Sequence, residues 1–109
     1  MKTERYGIYL ADLNPTRGAE MKKVRPVVVV SVNAMNDALE TVVVCPLTTV
    51  IHARWRSRIQ IRCAGKAAEI AVDQIRCISK TRLTKKVDSL KPAATDELRR
   101  CISELYGDG

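Results

Sequence analysis

From Arg5 to Leu13 (RYGIYLADL) apolar and polar positions alternate, with Tyr6, Ile8 and Leu10 on one side, and the period of two predicts a first strand. NPTRGAEMKKV, residues 14–24, breaks the pattern with Asn-Pro, a glycine and several charges, and reads as a long loop of the kind that carries function. PVVVVSV at 26–32 has no polar alternation at all, so it predicts a strand buried on both faces, with Pro26 tolerable only at its first position. VNAMNDALE then reads as a turn or one short helical piece. TVVVCPL at 41–47 is the next strand and runs into Thr48 and Thr49. SRIQIR at 57–62 alternates with Ile59 and Ile61 inward, and AEIAVDQIRCIS at 68–79 supplies one long strand or two with a bend. A weaker strand is expected around Val87. Beyond it the period changes: Ala94, Leu98, Cys101, Ile102 and Leu105 fall at helical spacing, with Thr95 or Pro92 at the start and Gly107 as the stop. Five or six short strands closed by a C-terminal helix predict a small, strongly curved, barrel-like sheet forming one domain over 1–109.

Composition sharpens this picture. Hydrophobic residues make up 46% of the 109 positions while aromatics are 4% and phenylalanine is absent, so the core must be valine, isoleucine and leucine, a β-rich palette. The formal charge of +7 favours an anionic partner. No apolar run reaches the roughly 18 residues of a spanning helix, and MKTERYGIYLADL has no secretory apolar block, so a cytoplasmic protein without membrane contact is the expectation. Cys45, Cys63, Cys77 and Cys101 are too scattered for a metal pair, and His52 is the only histidine; reduced, mostly buried thiols and no metal or cofactor are expected.

Four constellations could carry chemistry. Arg25 stands where the basic loop meets the buried strand, and Pro26 pushes it towards extended backbone. It is either the last member of a solvated charge run or a guanidinium preset to donate two hydrogen bonds to a phosphate. Thr48 and Thr49 either cap the turn after their strand or, if the two buried strands are antiparallel neighbours, share an edge with Arg25. HARWRSR at 52–58 offers Arg54, Trp55 and Arg56 as a surface where a base stacks and arginines track phosphates, as a partner-protein interface, or as a loop folded onto the core. Asp73, beside Gln74 and Arg76, is a general base or one half of an ordinary ion pair. With one histidine, a two-histidine acid and base pair within the chain is excluded, and no glycine-rich phosphate loop or G-x-S-x-G is present.

Taken in order, YGIYLADLNPTRGAEMKKVRPVVVVS, VVVCPLTT and DQIRCISKTRL resemble the MazF/PemK family of toxin endoribonucleases, over roughly residues 6–83. The resemblance implies a small SH3-like barrel of the MazF/PemK/CcdB type that forms a homodimer, cuts single-stranded RNA, mainly messenger RNA, at short specific sequences without a metal, and is held inactive by an acidic antitoxin. It implies attack of the RNA 2′-hydroxyl on the adjacent phosphate, leaving a 2′,3′-cyclic phosphate and a 5′-hydroxyl. The catalytic roles fall on Arg25 and Thr48, with Thr49 as the alternative hydroxyl. Asp73 stands in support, but Ala71 occupies the position where the PemK branch has an arginine. Glu20 matches an acidic loop residue, Gln74 a polar position on the RNA-facing strand, and Lys22 and Lys23 would draw in the phosphate backbone. A toxin of the same fold that binds a protein such as DNA gyrase, without catalysis, is the rival reading.

Overall fold

The computed structural model describes residues 1–15 and 17–107; Thr16 of the NPTRG segment and the last two residues lie outside it. The elements are β1 (Gly7–Asp12), β2 (Val24–Val29), α1 (Asn33–Ala38), β3 (Thr41–Thr48), β4 (Arg58–Cys63), β5 (Lys66–Ala71), β6 (Arg76–Ser79), β7 (Leu83–Ser89) and α2 (Pro92–Tyr106). Every strand pair is antiparallel, in the order β4-β5-β3-β2-β1-β7, and β6 is a further partner of β3. The sheet curls until its two ends approach, where the Ala64 N–H donates to the Asp88 carboxylate at 2.7 Å. No helix among the described residues is long and apolar enough to cross a membrane.

The unbroken valine run is explained by burial on two sides. Val28 packs with Ile8, Cys45, Leu47 and Ile70 beneath Leu98 and Cys101 of α2, while Val27 and Val29 face Tyr9, Val42, Val44 and Ile78 on the other surface. A polar residue at any of these positions would lose the roughly 1.5–3 kcal/mol that burying a valine-sized side chain contributes. The helix begins at Pro92, whose missing N–H costs nothing there, and the Thr95 hydroxyl donates back to the Pro92 carbonyl at 2.8 Å.

Two expectations need correction. Among the described residues the strands number seven rather than five or six, because the 68–79 segment breaks at a 3-10 turn over Val72–Gln74 and Val87 lies in a full strand. The second strand starts at Val24, so Pro26 is its third residue. It is tolerated because β3 joins β2 only from Val27 onward, leaving β1, through Leu10, as the paired neighbour at Pro26. The same logic accommodates Pro46: the outer edge of β3 pairs with β6 over Thr41–Val44 and with β5 at Leu47 and Thr48, and Pro46 falls where the partner changes.

Candidate active site

Since β2 and β3 run antiparallel as neighbours, the start of one and the end of the other meet at one edge of the sheet. Arg25, opposite Ala11 on β1, reaches across that edge. Its Nη1 donates to the Leu47 carbonyl at 3.2 Å, and its Nε to the Lys22 carbonyl at 3.1 Å. Nη1 also lies 3.7 Å from the Met21 Sδ. The guanidinium is therefore fixed before any ligand arrives. Burial lowers its pKa from the ordinary arginine value.

The loop that leads into β2, just before Arg25, is tethered at several points. The Met21 N–H donates to Gln74 Oε1 at 3.3 Å, the Lys23 N–H donates to Asn14 Oδ1 at 3.2 Å, and Arg82 donates to the Asp12 carbonyl at 3.0 Å. Gln74 thus sits in the 3-10 turn, not on a strand as expected, and holds a residue that touches Arg25. Glu20 closes a turn within the loop, its Oε1 accepting from the Arg17 N–H at 3.1 Å, and Lys22 and Lys23 are exposed.

Arg25, Thr48 and Thr49 line a pocket of about 510 Å³. Leu10, Pro26, Leu47, Ala68 and Val87 form its apolar walls, and Lys66 stands among its lining residues. The turn of the β4–β5 hairpin closes one side, with Ala64 and Gly65 both left-handed (φ 50° and 82°), the pairing that a tight two-residue turn requires. Thr48 both caps and lines: its Oγ1 accepts from the Val50 N–H at 3.1 Å, which leaves the hydroxyl proton free to donate.

Beneath this edge lies a charged cluster that the sequence pattern missed. Glu69, the register partner of Thr48, has a fully buried side chain. Its carboxylate accepts from the His52 N–H at 2.8 Å, Gln60 Nε2 at 2.6 Å and Arg58 Nη1 at 2.8 Å. Burial pushes its pKa up, but these bonds and the Arg58 charge outweigh that and hold it below the ordinary glutamate value. Arg58 also binds Asp73, Nε to Oδ1 at 2.8 Å. Arg58 is the register partner of Ala71, so the cation paired with Asp73 comes from β4, the strand beside position 71. Asp73, engaged there, is not among the residues lining the Arg25 pocket. The visible hint was Glu69 itself, a carboxylate inside the small-apolar run AAEIAV.

The 52–58 segment forms a stack of its own. His52 lies 3.9 Å from Trp55 at 9°, and the Arg58 guanidinium stands 4.6 Å from the same indole. Trp55 is about half exposed, at 48%; Arg54 is exposed, and Arg56 pairs with Glu104 at 3.3 Å. None of these lines the Arg25 pocket. Cys45, Cys63 and Cys101 are buried free thiols and Cys77 an exposed one; burial pushes Cys45 up to about 12. Among the described residues, no three His, Cys, Asp or Glu side chains are grouped to hold a metal ion.

A sequence profile described as PemK-like, MazF-like toxin of type II toxin-antitoxin system matches residues 4–106. Endoribonuclease MazF of Staphylococcus saprophyticus is 32% identical over 105 residues, covering 92% of this chain and 88% of the relative. Endoribonuclease EndoA of Bacillus subtilis is 33% identical over 107 residues, covering 94% and 92%. In structure, MazF from Deinococcus radiodurans superposes with a TM-score of 0.87 at 18% identity over 99% of both chains. An endoribonuclease in complex with its cognate antitoxin, from a mycobacterial species, gives 0.82 at 20% identity over 97% and 96%.

Proposed function

Because this chain belongs to the PemK-like, MazF-like toxin family of type II toxin–antitoxin systems, we propose that it is the toxin of such a pair, an endoribonuclease that cuts single-stranded RNA at the Arg25 pocket. The observation that carries the reading is the guanidinium held by two backbone carbonyls beside a threonine hydroxyl with a free proton. Such a pair is matched to a phosphate at which charge develops, since fixed donors need no reorganisation during reaction.

In this reading the RNA 2′ oxygen bonds to the adjacent phosphorus as the bond from phosphorus to the 5′ oxygen breaks. The 2′ proton passes to water, and water returns one to the departing 5′ oxygen. Arg25 neutralises the extra negative charge on the non-bridging oxygens, and the Thr48 hydroxyl donates to one of them. Arginine's pKa, ordinarily above about 12, makes stabilisation rather than proton transfer its main contribution. No step calls on a metal ion. The net charge of +7 supports binding of both RNA and an acidic antitoxin, and the functional unit in this reading is a homodimer.

Purified protein incubated with total RNA in excess chelator should give discrete fragments. Their 5′ ends should accept label from a polynucleotide kinase without prior dephosphorylation, and their 3′ ends should resist a ligase that needs a 3′-hydroxyl until the cyclic phosphate is opened and the resulting phosphate removed. Absence of fragments at every salt concentration would overturn the reading; fragments with 5′-phosphates would overturn its chemistry.

A further inference from the structure

The Arg25 pocket combines cationic and apolar lining residues. Arg25 and Lys66 supply positive charge among its lining residues, while Leu10, Leu47, Ala68 and Val87 supply greasy walls. Neither a carboxylate nor a carboxamide side chain lines it, and its volume of about 510 Å³ is in the range of small-molecule sites. A phosphate alone has no use for such walls, and an apolar peptide side chain has no use for the cations. A nucleotide uses both, with its phosphate at the guanidinium and its flat base against the aliphatic surface.

Resting on the endoribonuclease reading, we propose that this pocket seats the base of a nucleotide flanking the cut phosphate and holds it by burial and shape, not by side-chain hydrogen bonds to the base edge. An amino group on a base would find the threonine hydroxyls and the weakly accepting Cys63 sulfur as the side-chain acceptors there, since Lys66 and Arg25 only donate. Ala67 is the position from which to test this: it lines the pocket, it is exposed, and a larger residue there intrudes on the space without entering the core.

The test uses the full-length protein and a short RNA carrying its mapped cleavage site. At each nucleotide flanking the cut, the base is replaced either by an abasic ribose or by an apolar isostere without hydrogen-bonding groups. At one of the two positions, the abasic RNA should be cut at least about tenfold more slowly by the wild type, as expected when a filled apolar subsite is emptied, while the isostere is cut nearly as well as the natural base. Ala67→Leu should slow cleavage of the natural RNA and leave the abasic RNA unaffected. Loss of cleavage with the isostere equal to the abasic loss would overturn burial in favour of edge recognition. Equal slowing of both RNAs by Ala67→Leu would remove the base from the pocket. So would normal cleavage of both by Ala67→Leu, and weakened antitoxin binding alongside it would assign the pocket to the antitoxin. If the wild type leaves the natural RNA uncut, the parent reading fails instead.

Discussion

Arg25→Ala should cut RNA about 10³-fold more slowly than the wild type, because a fixed donor at a developing oxyanion contributes about 10²–10³ in rate and a cationic one more. The fold should survive. Arg25 is only partly buried, at the open edge where β2 has just begun, and its partners are carbonyls of Lys22 and Leu47 that water can satisfy once the side chain is gone. Thermal unfolding within a few degrees of the wild type would establish that. Arg25→Lys should recover a fraction of the rate: an ammonium restores charge, but it lacks the planar fork that engages two carbonyls and still presents donors outward. Growth arrest on expression should vanish with Arg25→Ala in proportion to cleavage. Arrest that persisted in a variant unable to cut RNA would point to a protein target and to the non-catalytic rival.

Glu69→Ala should destabilise the protein by about 3 kcal/mol, the scale of leaving one half of a buried ion pair without its partner. Arg58, whose side chain is 5% exposed, would keep Asp73 but lose its innermost contact, and the His52 N–H and Gln60 would lose their acceptor. For a domain of this size that is a fall of roughly 12 °C or more in Tm. Glu69→Gln, with the same shape and one acceptor oxygen, should cost about 1 kcal/mol. The pair also sets a pH dependence. Glu69 and Asp73 both titrate below their ordinary values in the fold; in Asp73 too, burial raises the pKa and the Arg58 and Ser57 hydrogen bonds outweigh it. Their stabilisation is therefore complete above the unfolded carboxylate range near pH 4 and is lost as pH falls through the depressed folded values. Urea midpoints measured from pH 6 down to pH 2 should drop for the wild type and drop less for Glu69→Gln. Equal acid sensitivity in the two would show that the cluster contributes no such linkage.

What the sequence made legible, and what it did not, follows from how each residue earns its environment. β1 to β3 and α2 were readable because apolar periodicity reports burial directly, and the valine run has few structures open to it. The meeting of Arg25 with Thr48 was also within reach, since it needs only that adjacent buried strands pair antiparallel. Strand limits near prolines were not, because whether Pro26 can lie inside a strand depends on where the neighbouring strand starts. The family resemblance places Gln74 on a strand, while the pattern over 68–79 leaves one long strand or two with a bend; β3 changes partners at Pro46, and the crossing segment has to turn at Val72–Gln74. The Glu69–Arg58 cluster was hidden for a different reason: a charged residue in a strand reads as outward unless its counterion is known, and that counterion lies eleven positions earlier. The wall formed by the β4–β5 hairpin escaped because alanines and a lysine carry no chemical signature until the sheet curls over the Arg25 edge.

One measurement bears most directly on cleavage by the RNA's own hydroxyl at the Arg25 and Thr48 edge. A short RNA containing the mapped site is made with a single 2′-deoxy nucleotide immediately 5′ of the cut, and its cleavage is followed beside that of the all-ribose RNA. The deoxy RNA should bind with nearly unchanged affinity, compete as an inhibitor and remain intact. Cleavage of it at the same bond would require an external nucleophile and would contradict the mechanism assigned to this site.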